Sequence, residues 1–144
     1  MTATYDRHEL RFLYPENWSI SENEADGFVE ISLESPEGTI WSVSHFPGSS
    51  PPGDLIESCA SALREQYEDF EKSDFVGEVS GIPATGFDAH FYCLDFLVTA
   101  AARVFVLGDK TVLIFSQAES REFDRSRAVL DAITLSLLNQ ATAR

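Results

Sequence analysis

Asp88, His90 and Tyr92 alternate along one stretch of chain, which on a strand places all three side chains on one face and Asp95 on the other. Asp88 and His90 are metal-ligand types. A metal needs three or four ligands converging at about 2 Å, and only these two come close enough, so the group reads as a hydrogen-bonded polar cluster at the end of a sheet. His45 falls near the end of another strand and His8 in the N-terminal segment. A nucleophilic triad would need a Ser or Cys beside a His base and an orienting acid. Cys93 follows His90 by three residues, but on a strand the two point to opposite faces. No glycine-flanked nucleophile elbow is present, and no glycine loop leads into a helix to cradle phosphate. The residues therefore predict no enzyme, no catalytic residue, no metal and no cofactor.

Binding chemistry has better candidates. Arg103 interrupts an apolar strand, either as a structural ion pair with Asp95 across a connection at 98–101 or as an anion anchor. Trp41 and Phe46 lie beside Trp18 and the breaker-rich segment from Pro47 to Gly53. Exposed, they would make an aromatic docking edge; packed inside, they would be core. Glu65, Glu68, Asp69 and Glu71 form an acidic cluster, read as the solvated face of a helix and as a second docking candidate. Cys59 and Cys93 are too few for a disulfide framework or a zinc site and read as buried free thiols. A bridge between them would require that helix to lie over that strand.

Charge narrows the partners. The formal net charge is −14 and the pI about 4.4, which opposes a nucleic-acid backbone and an anionic membrane alike. A basic protein partner is compatible with it, as is a surface that merely keeps the chain soluble. The start of the chain, MTATYDRHELRF, lacks the basic-then-apolar order of a secretory signal, and no run has the roughly twenty apolar residues of a membrane span. The expected location is the cytoplasm.

The elements that must position these residues are strands. At 144 residues the chain is the size of one domain, spanning 1–144, and its 11 Phe against a single Met suit aromatic-rich β-structure. The centre is 84–117, read as three strands folded back on one another. The last two, Ala101–Leu107 and Thr111–Gln117, are joined by Gly108-Asp109-Lys110, a hairpin signal. Val104, Val106, Val112 and Ile114 occupy one parity and Phe105, Leu107, Leu113 and Phe115 the other, so the sheet must be covered on both faces. Leu10–Tyr14, Phe28–Ser35, Thr39–Phe46 and Phe75–Ser80 read as further strands, and Ser21–Gly27 as an acidic loop. Asp54 with Glu57 reads as a capping box opening a helix whose stripe is Leu55, Cys59, Ala62, Leu63, Gln66 and Phe70. Ser120 caps a second helix with Phe123, Ser126, Leu130, Ile133 and Leu137 inward, Val129 widening the stripe, and a tail from Asn139 that frays.

Four segments carry a resemblance. Phe12–Trp18 (FLYPENW), the GIPA corner at Gly81–Ala84, the two-strand run through Gly108 and the helix end Ile133–Leu137 together resemble the Mog1/PsbP-like superfamily over nearly the whole chain. The resemblance implies an α+β fold: an α/β/α sandwich on a central antiparallel sheet of about six to seven strands, with a helix on each face. It also implies a binding or assembly factor rather than an enzyme. No functional residue carries over, because neither the metal-associated histidines of PsbP proteins nor the Ran-contacting acidic surface of Mog1 has a matching motif here.

The expected function is a soluble, non-catalytic adaptor that recruits a protein through an acidic helix face or an aromatic loop edge. Its binding residues would come from Trp41, Phe46, Glu65, Glu68, Asp69 and Arg103. The alternative is a carrier of a small apolar or lipid-like ligand in a Phe-lined pocket between sheet and helix.

Overall fold

The computed structural model describes residues 1–25, 27–47 and 50–142. Its elements run β1 (Thr2–Arg7), β2 (Leu10–Pro15), β3 (Ser19–Ala25), β4 (Phe28–Glu34), β5 (Ile40–Pro47), α1 (Pro52–Gln66), β6 (Glu68–Val79), β7 (Ile82–Cys93), β8 (Phe96–Leu107), β9 (Lys110–Glu119) and α2 (Ser120–Thr142). Seven strands form one antiparallel sheet in the order β3-β4-β5-β9-β8-β7-β6, and β1 and β2 pair separately as a ribbon.

Both faces of the centre are covered, one helix to each, as the two-parity apolar pattern requires. The register Phe105↔Val112 puts odd residues of β8 beside even residues of β9. Phe105 therefore shares a face with Val112 and Ile114, while Val104 stands with Leu113; equal parity in the two strands does not mean a common face. On the first face, Phe105, Val112 and Ile114 meet Phe123, Leu130, Ile133 and Leu137 of α2, together with Tyr5, Leu10 and Phe12 of the ribbon. On the second, Phe87, Phe91 and the small Ala89, Ala100 and Ala102 receive Ala60 and Leu63 of α1. Alanines in the sheet let the helix approach closely while phenylalanines on either side fill the gaps.

Several boundaries differ from expectation. Ser19–Ala25 is a strand, where Ser21–Gly27 is expected to be a loop; it leaves no pattern because it is a sheet edge with every residue exposed, so no face of it alternates. Asp26 lies outside the described residues, as do Gly48 and Ser49 of the Pro47–Gly53 segment. Leu10–Tyr14 is a strand, but in the ribbon. Helix α1 begins after Pro51 with no side-chain cap, and Asp54 sits within its first turn. It ends at Gln66, and its inward residues are Ile56, Cys59, Ala60 and Leu63. Phe70 lies on β6. The cap of α2 is Glu119, whose Oε2 accepts the N–H groups of Arg121 (2.9 Å) and Glu122 (3.1 Å); Ser120 instead meets Thr99 at 2.8 Å. Those N–H groups hold the Glu119 carboxyl below its usual range. Val129 points outward, and α2 runs helical past Asn139 to Thr142, with Ala143 and Arg144 outside the described residues.

The hairpins joining β6 to β7 and β7 to β8 close with two-residue turns. Ser80-Gly81 and Leu94-Asp95 close their hairpins with both residues at positive φ, the form whose twist suits adjacent strands. No helix among the described residues is long and apolar enough to cross a membrane.

Candidate functional site

Two neighbouring surfaces collect the candidate residues, both on the β6-β7-β8 half of the sheet. The first is a cleft of about 270 Å³ between β7–β8 and α2, bordered by Asp88, His90, Arg103, Arg127 and Asp131. Asp88, His90 and Arg103 lie on the α2 side of the sheet, so the structure does bring them together. Arg103 does not pair with Asp95, because 98–101 is strand and Asp95 lies in the distant β7–β8 turn. Its Nη2 donates to Asp88 Oδ1 at 2.8 Å, and its Nη1 donates to the carbonyls of Phe87 (3.1 Å) and Ala102 (2.9 Å). The guanidinium also lies 3.8 Å from the centre of the Phe75 ring. That geometry follows from the ladder: Phe75, Gly86 and Arg103 are directly opposite one another across three strands, and the glycine leaves the middle of the row empty. Arg103 thus clamps strands together. Among the described residues no group of three His, Cys, Asp or Glu is placed to hold a metal.

The second surface is the β7–β8 hairpin end. β9 reaches only as far as Val98, so residues 92–97 project beyond it. Tyr92 (47% exposed), Leu94 (86%), Phe96 (60%) and Leu97 (38%) are all in contact with solvent there. Two open concavities flank this tip, of about 610 and 620 Å³, and both are lined by Tyr92 and Asp69. Glu68 and Asp95 border the first, Glu71 and His90 the second. A register shift between Glu68 and Glu71 places an extra residue on β6, with Asp69 at φ 56; such a bulge re-aims side chains. Leu94 itself is at φ 53, a conformation rare for a branched apolar residue outside a tight turn.

The other expected binding residues scatter. Trp41 is fully buried and donates its Nε1 to Thr134 Oγ1 at 3.0 Å, so it forms no docking edge. Trp18 is buried as well, and half-buried Phe46 stacks on Phe28 with ring centres 5.0 Å apart. Glu65 is exposed on α1, whereas Glu68, Asp69 and Glu71 belong to β6 and not to a helix face. Of the tip residues the sequence points only to Tyr92, as a member of the Asp88–His90 polar cluster, and to none of Leu94, Phe96 and Leu97. The available signal was Asp95, a turn former inside an apolar run too long for one strand. Both cysteines are free and half-buried against the same core, and burial pushes the Cys59 thiol up to about 11.

The other two histidines, His8 and His45, lie near the ribbon. His8, in the β1–β2 turn, has Nε2 at 3.7 Å from Glu22 and 3.8 Å from Glu24 of β3. Tyr5 donates to Glu22 at 2.7 Å, which holds that carboxyl below its usual range. His45 is buried on β5, and burial, reinforced by nearby Lys110, lowers its pKa from 6.5. The unfolded chain therefore binds the proton more tightly than the native one. The contribution of His45 is complete above pH 6.5 and is lost as pH falls through the lowered native value. Urea midpoints measured between about pH 7.5 and 5 should fall for the wild type and fall less steeply for His45→Gln, while the acid slope from Glu22 and Glu119 persists at lower pH in both.

No family model and no curated protein matches the chain. Solved structures do. The solution structure of cyanobacterial PsbP (CyanoP) from Synechocystis sp. PCC 6803 matches with a TM-score of 0.66 at 13% identity, over 94% of this chain and 90% of that one. LpqN, described as involved in cell envelope biogenesis of Mycobacterium tuberculosis, matches with a TM-score of 0.58 at 12% identity, over 92% and 87%. PA94 of Pseudomonas aeruginosa, a protein of unknown function, matches with a TM-score of 0.50 at 13% identity, over 88% and 89%. Identities this low speak to architecture alone. The seven-stranded antiparallel sheet with a helix on each face and these three likenesses agree: the chain has the Mog1/PsbP-like fold.

Proposed function

We propose that the chain is a non-catalytic recruitment module that docks a protein partner on the end of the β7–β8 hairpin. The observation that carries this reading is the concentration of exposed Tyr92, Leu94, Phe96 and Leu97 at one projecting tip. Apolar side chains exposed singly need no explanation, but several gathered at one hairpin end, Tyr92 and Leu97 on one face and Phe96 on the other, mark an interaction site. The acidic residues expected to mediate docking, Glu68 and Asp69, border the same tip, although they reach it from β6. A non-catalytic role is supported by the cleft, where Arg103 is committed to Asp88 and to two backbone carbonyls instead of facing a substrate. LpqN, which shares the fold, is tied to envelope biogenesis, so an assembly-related role suits a module of this kind. A carrier role has less support: Phe12, Phe87, Phe91 and Phe105 are fully buried and fill the two cores.

Leu94→Asp combined with Phe96→Ser tests the reading, since both side chains are exposed and the fold should tolerate the change. Quantitative affinity capture from the host should show at least a roughly tenfold loss of the specific partner, the effect expected of removing interface anchors. Val76→Asp, on a side chain that is 84% exposed but away from the tip, should capture normally. Equal capture by the wild type and the tip variant would refute docking there.

A further inference from the structure

We infer that the partner presents a segment in which an apolar anchor is flanked by lysine or arginine; this rests on docking at the β7–β8 tip and specifies what docks. The apolar part follows from Leu94 and Leu97, 86% and 38% exposed, which line the first and the second concavity. The basic part follows from what surrounds them. Glu68, Asp69, Glu71 and Asp95 border the two concavities, and among the described residues no lysine or arginine lines either one. Nearby cations are already engaged: Arg64 lies over the Phe70 ring at 5.2 Å, and Lys72 donates to Asp74 at 2.6 Å.

Each exposed carboxylate–lysine pair contributes little free energy. Several on one rim still steer encounter, exclude acidic or neutral competitors and make binding salt-sensitive. The same rim argues against two other occupants. A second copy would bring identical carboxylates and another net charge of −14 to the contact. An anionic lipid surface would be repelled for the same reason. The bulge at Asp69 adds geometry, since Asp69 and Tyr92 each line both concavities. An anchor seated against Tyr92 thus meets negative charge on either side.

The full chain, with a photo-reactive phenylalanine analogue in place of Leu94, is cross-linked in host cells and the attached segment is read by mass spectrometry. A second form adds Glu68→Gln, Asp69→Asn and Glu71→Gln; asparagine tolerates the left-handed backbone at 69. The expected result is a segment with an apolar residue within a few positions of several Lys or Arg, and a cross-link yield at least about tenfold lower in the neutralised form. A neutral or acidic segment, a second copy of this chain, or a yield unmoved by neutralisation would overturn the basic-partner inference while leaving docking in place. No cross-link above that from the same analogue at position 76 would overturn docking itself, and this inference with it.

Discussion

Gly86→Ala should destabilise the protein by at least about 3 kcal/mol, seen as a lower urea midpoint with an unchanged slope, because overpacking against rigid backbone is among the costly core changes. A methyl group on residue 86 would run into the carbonyl oxygen and carbon of Ala102 and press on the Arg103 Cα at 3.1 Å. These are main-chain atoms of the adjacent strand β8, which no rotamer change can move. Relief would require β7 and β8 to separate near one end of their ladder, which runs from Thr85↔Val104 to Cys93↔Phe96. The loss reaches beyond the ladder. Residue 86 lies between Phe75 and Arg103, so separation would also draw the guanidinium away from the ring it covers and from Asp88. A substitution of Gly81, whose added Cβ would meet nothing, provides the contrast: its cost would come only from φ +81.

Trp41→Ala should cost about 3–5 kcal/mol by the same measurement, the range for emptying a large buried aromatic site. Trp41 has no exposed surface, packs against Phe12 with ring centres 5.0 Å apart, and ties β5 to α2 through Thr134. Phe12 in turn stacks on Tyr5, so the cavity would open beneath the ribbon and loosen its hold on the sheet. Trp41→Phe should cost less, since much of the volume is kept and the main further loss is the Nε1 donor to Thr134 Oγ1. The outcome separates core from surface directly: a docking tryptophan could be removed with a change within about 0.5 kcal/mol.

How much of this was legible depends on which physics each segment obeys. The strands of 84–117 and the inward stripe of α2 declare themselves because burial fixes their periodicity, and Phe123, Leu130, Ile133 and Leu137 are all inside. Helix α1 ends at Gln66, short of the stripe expected to run to Phe70, for a physical reason. Phe70 stands seven residues after Leu63, a helical repeat, and it does face the same core, with its ring 6.4 Å from Phe87 and 6.3 Å from Phe91. It reaches that core from β6, after the chain has turned at Tyr67, which itself stacks on Phe91 at 4.3 Å. Periodicity identified the neighbour and not the element. Strand β3 left no pattern because it buries nothing. The hairpin tip was illegible in the opposite way: Phe96 and Leu97 look like strand interior, and their exposure arises only because β9 stops at the level of Val98. That is a relation between segments, which no single window of sequence contains.

The strand order has a kinetic corollary. Strands β3-β4-β5 and β6-β7-β8-β9 are two meanders built from chain neighbours, whereas the ladder joining β5 to β9 brings together residues as remote as Val43 and Ile114. Contacts between such distant positions form slowly, because chain entropy must be surrendered before they repay it. The two meanders are therefore free to assemble early and separately, and the seam along β5 and β9 sets the pace at which the molecule completes itself.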